Sequence, residues 1–392
     1  MKNYFGYSKN VFVLSLVSFL NDIGGETIKR TIPLFLANVL RVPTSIIGLV
    51  EGIGEASPQL LQPLSGLYSD KLKRRKIFVV IGQLLRASML ALFFAVSWWH
   101  VLLIRFLDRS GKGIATSPRD ALLSVSADQE EKGKAFGLNR ALDNAGAVIG
   151  LAAAGLVVLL VQRSGGFLEK NTFSLIILLA AVPLAAAFFI VLRYVQDIPY
   201  SKTDKQKIVL TERLNPAFYR YLAVSFLFTL GNSSDGFLLL RAQNVGIHLA
   251  VIFFLFAGLS LVSSLISVPA GELSDRIGRK KVLLAGWLLY SVVYFGFGRA
   301  SNTFSIIALF PLYGLYYGIS EAAAKAYVSD LVPERRRGAA YGLYNLVVGA
   351  TLLPSSLLAG FLWQAVSPAA PFYFGSAVAV IAAIGLWILL KE

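Results

Sequence analysis

The 392-residue sequence is 56% hydrophobic with a mean hydropathy of +0.66, and only 15% of it is charged, against about 25% in soluble domains. Its net charge of +15 lies in short clusters between apolar runs, which excludes a continuous basic face for nucleic acid. Cysteine is absent, which excludes disulfides, thiol catalysis and cysteine metal sites, and His100 and His248 sit near predicted outer helix ends, so neither metal nor cofactor is expected.

Apolar runs of about 20 residues, each long enough to cross about 30 Å of hydrocarbon, recur from end to end. They predict an all-α membrane protein with twelve spans, at 10–39, 44–67, 77–97, 99–122, 134–161, 172–194, 218–240, 248–270, 281–298, 303–328, 338–363 and 368–390. The first run continues as a membrane helix and lacks a small-residue cleavage site, so no removable signal peptide is expected.

Taken in order, the spans carry unusual charge. Span 1 holds Asp22 and Glu26 one turn apart, followed by Lys29 and Arg30; span 2 holds Glu51 and Glu55 at the same spacing. Arg86 lies in span 3 and is expected to neutralise Glu55 or another carboxylate of span 2. Span 4 adds Arg105, Asp108 and Arg109, and span 5 adds Arg140 and Asp143. At 1.5 Å per residue, Asp22 and Glu26 lie roughly 18 and 24 Å in from the start of span 1. Arg105 and Asp108 lie about 9 and 14 Å from the outer end of span 4, and Arg140 and Asp143 about 9 and 14 Å from the inner end of span 5. Span 7 carries Asn232 and Asp235 and ends near Arg241; Glu321 and Lys325 of span 10 are spaced to pair on their own helix. Each ionisable group in hydrocarbon costs about 2.5–3.5 kcal/mol, so a set of them needs a reason. One reason is a network of ion pairs that holds helices together. The other is a site for protons and a polar substrate, with Asp22, Glu26, Arg30, Glu51, Glu55, Arg105, Asp108, Arg109, Arg140, Asp143, Asp235 and Arg241 as candidates. Gly24, Gly25, Gly111, Gly113 and Pro118 are candidates either for hinges or for close packing.

Lysine and arginine alternate between the two sides. Clusters at Lys71–Lys76, at Lys202, Lys205, Lys207 and Arg213, at Arg276–Lys281 and at Arg335–Arg337 contrast with sparse loops holding Arg41, Arg163 and Lys170. Positive charge marks the cytoplasmic side, so both termini are expected there, in a bacterial inner membrane. The sequence also repeats. GLYSDKLKRRK from Gly66 returns as GELSDRIGRKK from Gly271, an offset of 205 that also pairs Gly113 with Gly318, Gly133 with Gly338 and Gly137 with Gly342. VSFL at Val17 returns at Val224. Two homologous six-helix halves follow, 1–195 and 218–392, joined by a cytoplasmic linker at 196–217.

These features resemble the major facilitator superfamily, whose loop signature G-x-x-x-D-[RK]-x-G-R-[RK] is met in full by Gly271, Asp275, Arg276, Gly278, Arg279 and Lys280. The first copy keeps Gly66, Asp70, Lys71, Arg74 and Arg75 but has Lys73 in place of glycine. Asp70 with Arg74, and Asp275 with Arg279, are expected to act as cytoplasmic gate latches, an aspartate at a helix end bonding arginine. Span 4 is similar to the R-x-x-Q-G-x-G pattern of proton-driven exporters, with Asp108 for glutamine and Arg109 for glycine; span 5 keeps Gly146, Gly150 and Gly155 of their glycine pattern, with Leu151 for proline. NDIGGETIKRTIPLFL is similar to a bacterial subfamily of unassigned substrate, which has apolar residues where Lys29 and Arg30 stand. The resemblance implies a monomeric secondary transporter in the lipid bilayer that moves a small-molecule substrate by alternating access, with spans 1, 2, 4 and 5 bounding one side of its cavity. Proton-coupled export leads; transport of an anionic metabolite or metal chelate is the alternative. No nucleophile with its base, phosphate loop or ligand cluster marks an enzyme.

Overall fold

The computed structural model describes residues 6–127, 132–162, 165–198, 214–333 and 336–390. Most of the 196–217 linker, with Lys202, Lys205, Lys207 and Arg213, lies outside the described residues, as do Arg163 and Arg335. Among the described residues every regular element is a helix. These are α1 (Lys9–Leu34), α2 (Thr44–Leu72), α3 (Arg75–Arg86), α4 (Trp98–Ser126), α5 (Lys132–Val161), α6 (Lys170–Tyr194), α7 (Pro216–Gly231), α8 (Gly236–Asn244), α9 (Leu249–Ile277), α10 (Arg279–Arg299), α11 (Thr303–Asp330), α12 (Arg337–Ala365) and α13 (Ala370–Leu389). Among the described residues ten spans are long and apolar enough to cross a membrane, α7 and α8 together making one of them. The remaining two long helices, α2 and α4, are the ones whose sequences are diluted by buried charge and by proline.

Local chemistry sets the ends. Ser8 caps α1 by accepting from the Val11 N–H at 3.4 Å. Asn215 caps α7 ahead of Pro216, and Asn302 caps α11 by accepting from the Ser305 N–H at 2.9 Å. Three predicted spans depart from a straight helix. Span 1 closes in a π-helical turn, Phe35–Val39, just after Pro33, whose missing N–H interrupts the ladder. Span 3 tightens into a 3-10 stretch, Ala87–Phe94. Span 7 is broken at residues 232–235, where Asn-Ser-Ser-Asp side chains compete with the helix for backbone groups.

The chain forms two compact units. The first comprises Met1–Val42, Ile53–Ser201 and His248–Ala257. The second comprises Pro43–Gly52, Lys202–Ile247 and Gly258–Glu392, so α2 and α9 each divide between the two. In the first unit α1 lies against α5 and α6. A side chain on Gly146 or Gly150 would strike the Phe19 or Ile23 carbonyl of α1, and one on Gly24 would strike Leu184 and Ala180 of α6. Gly111 faces Gly82 of α3 and Gly113 faces Pro58 of α2. Helices α1 and α4 are continuous through Gly24, Gly25, Gly111, Gly113 and Pro118, and each of the four glycines stands against a neighbouring helix. An aliphatic cluster of Val11, Leu14, Val17, Val79, Leu122, Leu123, Ala187 and Val191 closes one end of this unit.

Candidate functional site

In the first unit, α1, α2, α3 and α4 bring their charged residues into one network. Glu55 is gripped by three cations: Lys29 Nζ at 3.0 Å, Arg109 Nη2 at 3.6 Å and Arg105 Nη2 at 3.8 Å. Arg105 is completely buried. The helix before Glu55 is cut away to admit these groups: a Cβ on Gly54 would meet Arg105 Nε at 2.6 Å, and the Gly54 carbonyl accepts from Arg109 Nε at 3.1 Å. Glu26 pairs with Arg30 at 3.8 Å within α1, and the Arg30 guanidinium lies over the Phe256 ring at 4.5 Å. Removing one member of such buried sets is expected to be costly, since the remainder keeps a buried charge without its counter-charge.

Two expected pairings are corrected. Arg86 does not neutralise span 2; it lies 3.7 Å from Asp108 of α4 and donates to the Asn21 carbonyl of α1 at 3.4 Å. Gly25 leaves the room for it, a Cβ there falling 2.7 Å from Arg86 Nη2. At the basic loop, Asp70 takes Arg75 at 3.0 Å where Arg74 was expected, and the Arg75 N–H, at the start of α3, donates to Asp197 at 3.2 Å. The second copy holds Asp275 and Arg279 together at 3.2 Å, and Arg279 also reaches Asp330 at the end of α11 at 2.5 Å.

Asp22 and Asp143 form no ion pair within 4 Å among the described residues. The charges that act on Asp22 are those of Lys112, Asp143, Glu26 and Arg86. Oδ1 of Asp143 is buried without a hydrogen bond among the described residues. Arg140, one turn before Asp143, is exposed. Lys29 belongs at the centre of the network, and Lys112, Arg119 and Asp120 extend it along α4, with Arg119 bonded to Asp120 at 2.9 Å and to Ser18 at 2.8 Å. The spacing of Lys112 from Asp108, one helical turn, was the available sign that it shares their face.

The second unit gathers the remaining candidates differently. Glu51, 1% exposed, accepts from the Ser234 hydroxyl at 2.6 Å, and the Ser234 N–H donates to Ser356 at 3.3 Å. Here the start of α2 packs on α12: Gly48 and Gly52 face the Ser356 carbonyl and Leu353, and Gly360 faces the Thr44 carbonyl. Asp235 accepts from the hydroxyls of Tyr313 at 2.9 Å and Tyr317 at 3.1 Å. Arg241 instead binds the end of α10, donating to the carbonyls of Phe297, Gly298 and Ala300 at 2.8–3.0 Å and to Asn244. Cations favour a helix C-terminus, and Arg241 serves this one structurally. Glu321 and Lys325 pair along α11 at 3.1 Å as their spacing predicts. The tyrosines escaped the sequence reading, although Tyr313, Tyr316 and Tyr317, and Tyr290 and Tyr294, carry helical spacing.

The chain is 40% identical over 386 residues to an uncharacterised MFS-type transporter of Methanocaldococcus jannaschii, covering 96% of this chain and 94% of the relative. Multidrug resistance protein 2 of Bacillus subtilis is 28% identical over 194 residues, 48% of this chain and 45% of that one. The solved structure of the nucleoside transporter NupG, as its D323A mutant, superposes with a TM-score of 0.80 at 13% identity, covering 97% of this chain and all of that one, a likeness of fold. The Major Facilitator Superfamily profile matches residues 14–241 and 221–392. With its twelve helical spans among the described residues (α7 and α8 counted as one), its repeated basic loop and these matches, the chain belongs to the major facilitator superfamily of membrane transporters.

Proposed function

We propose that this chain is a secondary transporter that exports a small organic molecule in exchange for protons, with Asp22 and Asp143 as the exchanging carboxylates and both termini cytoplasmic. The observation that carries the assignment is the division of labour among the membrane carboxylates. Glu55, Asp108 and Glu26 are each held by a cation within 4 Å, whereas Asp22 and Asp143 can take or lose a proton without first breaking an ion pair. Intramembrane carboxylates facing a bundle interior commonly form proton relays. The partial similarity to Multidrug resistance protein 2 supports export of an organic solute. No ATP-binding loop is present in the sequence, so an ion or substrate gradient is the energy source.

A second reading rests on the surroundings of Glu55. Three cations converge on this one carboxylate, and a carboxylate or phosphate group of a substrate could be held by the same Lys29, Arg105 and Arg109. Proteoliposomes loaded with a pH-sensitive dye and challenged with separate pools of lipophilic cations, carboxylates, phosphate esters and iron chelates decide between the two. In the responding pool, Asp22→Asn should abolish gradient-driven accumulation while substrate exchange at equal concentrations persists. Undiminished gradient-driven accumulation in that variant would sink the proton assignment, and a response confined to the anion pools would establish the second reading.

A further inference from the structure

A 29-residue membrane span is interrupted after 16 residues, near its middle, by Asn232–Asp235. Non-helical backbone at membrane depth is tolerated only where protein or a wet cavity satisfies it. Here the Asn232, Ser234 and Gly236 N–H groups are met by Thr229, Ser356 and Ser234, and tyrosines meet one carbonyl and two side chains of the break. Tyr290 donates to the Gly231 carbonyl that ends α7 at 2.9 Å, Asn232 donates to the Tyr316 hydroxyl at 3.4 Å, and Tyr313 and Tyr317 donate to Asp235. The rings form a wall. Tyr313 and Tyr317 stand 5.1 Å apart at 81°, making a corner whose hydroxyls meet at Asp235, and Tyr290 and Tyr294 stack behind at 4.1 Å. Asn232 and Tyr317 are half-buried, so the wall has an approach on their side.

We propose that Asp235 with Tyr313, Tyr316 and Tyr317 is a substrate subsite for the positively charged head of an organic ammonium. Apart from the N-terminus of α8, which begins at Gly236 and brings partial positive charge, the features favour a cation. The carboxylate is anionic and the faces of tyrosine rings are negative. Each tyrosine hydroxyl that donates to Asp235 keeps oxygen lone pairs. The α7 C-terminus brings carbonyls with partial negative charge. Arg241, six residues on, is engaged with the end of α10. Ring faces suit a bulky, weakly hydrated ammonium better than a small metal ion, which would need a shell of six or so oxygens. The subsite rests on small-molecule transport by this family and not on proton coupling.

The test is calorimetric titration of the detergent-purified full-length protein with benzyltrimethylammonium chloride, and with sodium benzenesulfonate as an anion of similar size. The wild type should bind the cation saturably, and Asp235→Asn, which keeps the shape and accepts from the same hydroxyls, should weaken binding by about tenfold or more. Tyr317→Ala, at a half-buried wall position, should also weaken it, which covers the case in which Asp235→Asn fails to fold. No saturable binding by the wild type, equal binding by both variants, or equal Asp235-dependent binding of benzenesulfonate would overturn the subsite. The flux experiment on Asp22→Asn reads proton coupling alone, so the two proposals can fail separately.

Discussion

Lys73 and Gly278 hold the same place in the two copies of the basic loop, 205 residues apart, and both have positive φ, 54° and 99°. The first copy therefore keeps the positive φ, with a side chain that disfavours it by roughly 1–2 kcal/mol, although the next residue differs: Arg74 (φ -133°) is the N-cap of α3 where Arg279 already opens α10. Because Lys73 is exposed, Lys73→Gly should recover about 1 kcal/mol of stability, read as a raised melting temperature in detergent. Lys73→Ala, which removes the same charge and retains the Cβ, should show no such gain. A similar rise in both variants would assign the effect to charge repulsion within Lys71–Lys76. The neighbouring Arg75 shows why residue roles here escape spacing arguments: the signature holds both Arg74 and Arg75 and the latch was expected at Arg74, yet the start of α3 at Arg75 puts that guanidinium on Asp70 and its N–H on Asp197.

At the level of helices, one residue type serves two needs, and the environment distinguishes them. Gly150 of α5 abuts the Ile23 carbonyl of α1, whereas a side chain added at Gly137 of the same helix would meet nothing within 4 Å among the described residues. Gly150→Leu should force α1 and α5 apart and lower both folded yield and melting temperature, at a cost of about 1–3 kcal/mol or more for overpacking. Gly137→Leu should leave both nearly unchanged; equal damage from the two would mean that Gly137 has a partner in another state of the transporter. The long helices, the repeat and the charged layer were legible because hydropathy, the 205-residue offset and ionisable residues in apolar runs are properties of the chain itself. The break at Asn232–Asp235 was less so, since a 23-residue apolar stretch masks four polar residues whose competing hydrogen bonds depend on tyrosines some 60 to 80 positions away. The partner of Arg86 was hidden for the same reason: periodicity gives the face a side chain occupies, not which neighbour that face meets.

For the whole molecule, the charged groups divide by purpose: the buried set is close to balanced between acids and bases, while the surplus of 15 positive charges is carried largely by loop clusters. That distribution argues for orientation. Lys71, Arg74 and Lys76 at the α2–α3 junction, and Arg276, Arg279 and Lys281 at the α9–α10 junction, lie on the cytoplasmic side in the proposed orientation, as the positive-inside rule expects. Ser301, between α10 and α11, lies one span further on and so on the other side in that proposed orientation. The chain has no cysteine, so a single introduced thiol reports its own position without background. Lys71 and Ser301 are both exposed, which makes either substitution accessible to reagent without disturbing a packed surface. In intact cells a membrane-impermeant maleimide should label Ser301→Cys and spare Lys71→Cys, and permeabilisation should bring Lys71→Cys to the same level. Labelling of Lys71→Cys in intact cells would invert the molecule, placing both termini outside and turning the proposed export of solute into uptake by the same protein geometry.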